Sequence, residues 1–494
     1  MKNTKKILCV LLAAMTLCGT LAACAGGEEQ NADTTAAPGA LSSDTTAAPE
    51  TELTDGLPEA NLNGWELTIL NYDDAAHSFS LKAMDPVDLS GEPLNDAMYE
   101  RNRTMETRFN CVINEVQDGS KLITNLTNSV LANNQSYDVA MIYDRKIGTC
   151  ITSGIIAEWN EQLLPYVNLD NAWWNADANA CFRIDNKQYA AVGDHSMSMY
   201  SKAYVMFLNK NLYGSIGDVN DLYKAVKDGS WTIDKMLTMT AGLAADLDND
   251  AYDADDQFGV VGGSKVYFQT LLSGAGIKLV DTDSAGNPYF AIADNEKAIN
   301  TISKIVEKHS ANPVYYNNTP NKVNSGIVAT EFVGNRAGLL SATVWDYNDF
   351  RDVDFSVGIL PAPKFDEAQE NYYSISIAGV VTTIPKDVAA EDAKNASLLL
   401  EAMAFYSREK VLPIYKEVVL QAKYADAAND SDMIDIIFNT MTYDLGTTVW
   451  NDEIRMPLIE KTFHNMNTEC ASFIESVKKL IQATIQSTIN AVKD

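Results

Sequence analysis

The sequence predicts an α/β fold built as more than one domain. Two observations carry this. Short β-like runs alternate with amphipathic helical stretches along most of the chain, the pattern of helices packed on sheets. The chain has 494 residues, and the roughly 430 that follow an atypical N-terminal stretch exceed what one hydrophobic core ordinarily serves.

The elements can be taken in order. Residues 65–71 (WELTILN) predict the first strand. Residues 94–109 predict a helix, because Leu94, Ala97, Met98, Met105 and Phe109 fall near one face. Residues 137–143 (YDVAMIY) have the apolar continuity of a buried strand. Residues 204–208 and 337–343 predict further strands, and 231–245 a helix with Thr232 as its N-cap. Residues 468–492 predict a closing helix, with Phe473, Val477, Leu480, Thr484, Ile485, Ile489 and Val492 at helical spacing.

The N-terminus reads differently. Lys2, Lys5 and Lys6 precede an apolar run over 7–17 that is too short to span a bilayer, and small residues follow. This is the pattern of a signal peptide over 1–23. It ends in Leu21-Ala22-Ala23-Cys24, which resembles the lipobox of bacterial lipoproteins. The resemblance implies that Cys24 is lipidated and that the protein sits on the extracytoplasmic face of a bacterial cell membrane, held by lipid alone. Residues 24–61 are rich in Ala, Thr, Gly, Glu, Asp, Ser and Pro, and DTTAAP occurs at 33–38 and again at 44–49. Such a segment buries too little apolar surface to offset its chain entropy, so a disordered tether is expected. Its reach would be about 30–35 Å.

The chain carries 37 Lys+Arg and 67 Asp+Glu. Without the three leader lysines the balance is 34 against 67, or −33. That excludes nucleic acid as an expected partner, since phosphate binding needs a basic face. It equally disfavours electrostatic adhesion to anionic lipid. Beyond the leader and Cys24, four cysteines remain, at 111, 150, 181 and 470, with no close pair. Buried thiols are expected, although their pairing is not fixed by sequence.

Four stretches carry a family resemblance by their order and spacing. They are GEPLNDAMYERNR (91–103), YDVAMIYDRKIGTCITSGIIAEWN (137–160), NKQYAAVGDHSMSMYSKAYVMFLNKNLY (186–213) and DFSVGILPAPK (354–364). From Trp65 to the C-terminus the chain resembles the family 1 extracellular solute-binding proteins of ABC importers, the group that includes the maltose-type receptors. The resemblance implies a two-lobed, periplasmic-binding-protein-like fold of type 2 with a ligand cleft between the lobes. Lobe 1 is expected over 62–190 plus 361–383, and lobe 2 over 191–360 plus 384–494. It implies a small-molecule ligand, in particular a sugar, and ABC permease subunits as partners. No cofactor is expected, and the protein is expected to be a monomer.

A sugar site wants flat aromatic surfaces and charged or amide groups. Asp144 and Arg145 follow the strand over 137–143, and loops after strand ends face the crevice of an α/β sheet. The matching pair in maltose-type receptors contacts sugar hydroxyls. Tyr72 and Asp73 follow the first strand by the same logic. Trp345 lies in VWDYNDF, a mixture of aromatics and acids that suits a cleft. The resemblance places Tyr267 and Trp450 as further stacking aromatics and Asp194 as a polar contact at the first crossover. Trp173 and Trp174 are expected to pack within lobe 1. Asp246, Asp248 and Asp250 have the first spacings of an EF-hand loop, but Ala251 and Gln257 stand where glycine and a bidentate carboxylate are required. A solvated acidic loop without metal is expected there, with a calcium loop of another kind through Asp253, Asp255 or Asp256 left open.

Nothing reads as catalytic apparatus. His77, His195, His309 and His464 are dispersed, and no HExxH, GxSxG, Walker A or GxGxxG pattern occurs. The expected role is capture of a solute by lobe closure and delivery to a permease. Two alternatives stay open: a surface glycoside hydrolase or lyase using paired carboxylates, and a ligand-sensing lipoprotein uncoupled from transport.

Overall fold

The computed structural model describes residues 54–73, 84–420 and 427–493. The expected leader, Cys24 and the tether as far as residue 53 lie outside these. Two main sheets are built from strands β1 (Trp65–Tyr72), β2 (Cys111–Asp118), β3 (Val139–Tyr143), β4 (Tyr204–Asn209), β5 (Phe258–Val261), β6 (Tyr315–Tyr316), β7 (Ala337–Thr343), β8 (Val357–Leu360) and β9 (Val380–Thr383).

The first sheet has the order β9-β3-β1-β2, with β1 parallel to both neighbours and β9 antiparallel to β3. The second has the order β6-β5-β7-β4-β8, where β4 runs antiparallel to β7 and β8. Both mixed orders leave the carboxyl ends of parallel strands free to face a ligand. β3 and β7 are enclosed almost throughout, which explains why neither carries a charged residue. The chain leaves the first sheet through residues 189–203 and returns through 361–379. The two crossings are tied to sheet partners by bridges Ala191↔Thr382 and Ala203↔Ser376.

Helix α1 (Pro93–Phe109) starts where the side chain of Glu92 accepts the N–H groups of Leu94 and Asn95, with Pro93 in the first turn. It ends at Asn110 in the left-handed region, which asparagine tolerates. Its buried face includes Arg101, which donates to Met84 O at 2.8 Å and to Ser407 Oγ at 3.0 Å. Arg101 thus clamps the helix to distant segments, a physical reason for the charged residues inside the 91–103 motif.

The body begins earlier than expected. Leu57 and Ala60 pack on the core, and Asp55 pairs with Arg108 of α1. Residues 55–61 are therefore part of the globular body and not of the tether. A second correction concerns α2 (Ala390–Tyr406), which was expected in lobe 2. It packs against α1. Its Asp392 accepts the indole N–H of Trp65 at 2.8 Å, and its Glu401 accepts those of Trp173 at 2.9 Å and Trp174 at 2.8 Å. Apolar periodicity fixes that a helix has a buried face, not which sheet receives it. The chain therefore returns to the first sheet's side through α2. The closing helix α3 (Cys470–Lys493) packs on both the 147–152 helix of the first half and the 296–309 helix of the second. The cysteines at 111, 150, 181 and 470 are all buried free thiols. Among the described residues no helix is long and apolar enough to cross a membrane.

Glu401 also accepts from Asn171 Nδ2 at 2.6 Å and Asn168 N at 3.1 Å, and it is almost wholly enclosed. Truncation would strand four donors at once. Glu401→Ala is expected to lower stability by about 2–4 kcal/mol, read as a shift of the urea midpoint.

Candidate functional site between the two sheets

The carboxyl ends of β1 and β3 lie side by side. Tyr72 ends β1, and its phenol oxygen accepts the N–H of Tyr143 at 3.4 Å. Burial pushes the Tyr72 phenol up to about 12. Asp73 is half-buried beside it, its N–H on Asp118 O at 3.1 Å. Asp144 follows β3 with no exposed area. One of its oxygens, Oδ2, accepts the N–H groups of Ala378 at 2.9 Å and Gly379 at 3.3 Å. The other, Oδ1, is buried without a hydrogen-bond partner. Burial raises its carboxyl from 3.8 to about 6, against the pull of Arg145 and these N–H groups. Arg145 is half-buried, with its carbon centre 5.8 Å from the centroid of the Tyr143 ring and its Nε enclosed and unpartnered.

The segment that Asp144 grips is itself special. Ala378 has φ 70°, in the left-handed region that costs a non-glycine residue roughly 1–2 kcal/mol. Two residues before it, Ser376 bridges to Ala203 at the start of β4, and Ile377 packs with Tyr204 and Val266. The strap 374–379 thus runs from the first sheet's strand end to the second sheet.

The second sheet contributes side chains by the same topology. After β5 the turn Gly262-Gly263 leads into a helix over Ser264–Gly274, with Lys265 in its first turn. Arg455 is fully buried behind it. It donates to Lys265 O at 2.6 Å, Gln269 Oε1 at 3.1 Å, Asn451 Oδ1 at 3.1 Å and Tyr204 Oη at 3.4 Å. Burial first, then repulsion from Arg455 and Arg145, lowers the Lys265 ammonium to about 8. Trp345 follows β7, half-exposed, with the Lys202 ammonium 5.2 Å from its ring centroid. Its turn is fixed by a capping box in which Asp346 accepts from Thr343 N at 2.8 Å.

The expected residues therefore divide. Tyr72, Asp73, Asp144 and Arg145 share one strand-end cluster, and Trp345 ends a strand of the other sheet. Tyr267 does not fit the expected stacking role: it has no exposed area, stacks on Tyr315 at 4.7 Å and hydrogen-bonds His309 Nε2 at 2.9 Å. It is a core aromatic, one turn-residue pair beyond Lys265. Trp450 is likewise enclosed at 3 % exposure, so neither ring offers a face to a ligand in this conformation. Asp194 is engaged by Tyr200 at 2.5 Å and Arg408 at 3.2 Å, an ion pair that fixes the first crossover. Sequence reasoning missed Tyr143, Tyr204, Lys202, Lys265 and Arg455. The strand-end rule applied to β5 would have found Lys265. Nothing in the sequence signals Arg455.

Cavities also lie elsewhere, an open one of about 610 Å³ along the 296–307 helix face among them. One of about 360 Å³ is lined by Lys278, Tyr289, Tyr443 and Asp444, and one of about 310 Å³ by Trp174, Asp194, Tyr200 and Arg408. Both touch Asp177, and neither includes Asp144, Arg145 or Trp345. In the cavity lined by Tyr289 and Tyr443, Lys278 pairs with Asp177 at 2.7 Å, and Asp281 and Asp444 leave the lining acidic. Asp246, Asp248 and Asp250 do converge, all exposed, while Asp253 and Asp256 are spent on the backbone of their own loop.

No protein-family model and no curated relative matches the chain. Solved structures do. The sugar-binding protein MalE from Xanthomonas citri is 11% identical with a TM-score of 0.57, over 86% of this chain and 99% of that one. UspC from M. tuberculosis is 14% identical with a TM-score of 0.54, over 86% and 100%. The cyclic alpha-maltosyl-1,6-maltose binding protein from Arthrobacter globiformis is 13% identical with a TM-score of 0.52, over 86% and 99%. The chain thus has the two-lobed, periplasmic-binding-protein-like α/β fold, with one main sheet in each lobe.

Charge on Asp144 has a sign that can be measured. Its folded pKa is raised, so its contribution to stability is complete below about pH 4 and is lost as pH rises through about 6. Asp144→Asn is spared that loss. The variant is expected to be more stable than the parent by about 1–3 kcal/mol at pH 8, with the gap closing near pH 4, as read from urea midpoints at the two pH values.

Proposed function

We propose that this protein is the solute-binding lipoprotein of an ABC importer, capturing a small carbohydrate in the crevice between its two sheets and handing it to a permease. The observation that carries the reading is the convergence of strand-end side chains from both sheets. Tyr143, Asp144 and Arg145 come from one, Tyr204, Lys265 and Trp345 from the other, with a strained strap between them. The likeness in fold to sugar-binding and maltose-oligosaccharide-binding proteins supports it.

In this reading lobe 1 holds β1–β3, β9 and α2, and lobe 2 holds β4–β8. A ligand touching both favours the closed form, because only that form makes every contact at once. The crossings near 192–194, 359–361 and 383–385 would absorb the rotation. Cys24 would carry the lipid, the leader and tether would hold the body off the outer face of the membrane, and a monomer suffices for all of this. Arg145 supplies a donor fork and Trp345 a flat face, which together suit a ring with hydroxyl edges, and the enclosed Asp144 fixes the turn that presents Arg145. Capture without turnover is favoured over glycoside hydrolysis because the solved structures that share this fold include binding proteins for sugars.

The test is a thermal-shift screen of the mature chain against monosaccharides, oligosaccharides, polyols and short peptides, with mass spectrometry of each hit after incubation. A ligand present at 100 times its Kd should add about 2.7 kcal/mol. The expected result is a shift with the ligand recovered intact, abolished in both Trp345→Ala and Asp144→Ala. A hit recovered cleaved would replace the receptor with a hydrolase, and a shift indifferent to both substitutions would move the site.

A further inference from the structure

The crevice collects more positive charge than its neighbouring carboxylate, Asp144 beside Arg145, offsets. Arg145 and Lys265 approach from opposite sheets, and Arg455 lies buried behind Lys265 with its donors spent on neutral oxygens. Among the described residues, none of the three forms an ion pair with a carboxylate. The carboxylate that acts on Lys265 is Asp452, exposed to solvent. This occurs in a chain with 67 acidic residues against 37 basic ones, where counter-charges are abundant. Buried or half-buried cations without a counterion are costly. The nitrogen of Lys265 reaches only a carbonyl, Asn324 O, at 3.5 Å, and Arg145 Nε has no partner at all. Lys265 also sits at an open helix end. The helix over Ser264–Gly274 has no side-chain cap, and its dipole adds positive potential at that point.

We propose that the solute carries an acid group, a carboxylate or sulfate on a sugar, received by the Arg145 fork and the Lys265 ammonium at the start of this helix, with Arg455 fixing the charge from behind. This rests on the crevice being the capture site. Bidentate recognition of a planar carboxylate or sulfate is what a half-buried guanidinium with a free edge does well. The missing counter-charge is then the ligand's own.

The test uses sulfate, D-galacturonate and D-galactose as probes on the mature chain, at constant ionic strength made up with chloride. Melting temperature is read for the parent, Lys265→Gln and Arg145→Gln. The expected result is that sulfate and galacturonate raise the melting temperature above the chloride baseline, and that each substitution cuts the shift at least twofold. Anion shifts in both variants as large as in the parent would overturn the proposal. A shift with galactose alone, lost in Arg145→Gln, would overturn the acid group and leave the capture site standing. Silence with both anions in the parent would overturn the proposal, leaving the capture site to the wider ligand screen.

Discussion

Asp144 is a carboxylate with no exposed surface, and the N–H groups it accepts belong to the strap by which the chain returns from the second sheet. Much of the arrangement depends on that contact. It holds Ala378 in a conformation an alanine resists, and it sets Gly379 against Ser198, where a Cβ would lie 2.6 Å from the hydroxyl oxygen. The strap then fixes the distance between the strand ends of the two sheets. A buried charge with one oxygen left unpartnered is a poor way to stabilise a fold. It is a good way to fix the turn that presents Arg145, and the cost is carried by the large core around it.

The opposite side of the crevice follows the same economy with the opposite sign. Arg455 is buried and hydrogen-bonded but not paired, and Lys265 and Arg145 stand in its field. Elsewhere some buried charges are paired directly, while Arg101 and Glu401 are met by neutral hydrogen-bonding groups. Lys210 meets Asp430 at 2.6 Å, and Arg408 meets Asp194 at 3.2 Å. The pairs lock the Asn209-Lys210 turn and the first crossover; what distinguishes Arg145 and Lys265 is that they are half-exposed beside the buried Arg455.

The strands were the legible part of this chain. An apolar run such as 139–142 can be enclosed on both faces only inside a sheet, and Ala337–Thr343 was readable to the residue for that reason. Asp144, Arg145 and Trp345 were readable as positions because strand ends in α/β sheets face the crevice. Tyr267 and Trp450 were not, since an aromatic at the right spacing is equally fit for the core, and Tyr315, His309 and Phe463 make it one. Arg455 lies 190 residues from the lysine whose carbonyl it holds, and no local pattern announces such a meeting. The fate of residues 390–406 turned on polar anchors, Trp65 to Asp392 and the two tryptophans to Glu401, which periodicity does not encode.

The central claim is that one ligand engages strand ends of both sheets at once. Hydrogen–deuterium exchange of the mature chain, with and without a saturating ligand, tests it directly. The account predicts slowed exchange on both sides of the crevice, at 143–148 and 378–380 from the first sheet and the strap and at 262–268 from the second. Protection confined to one sheet, or to the cavity bordered by Lys278, Tyr289 and Tyr443, would contradict it.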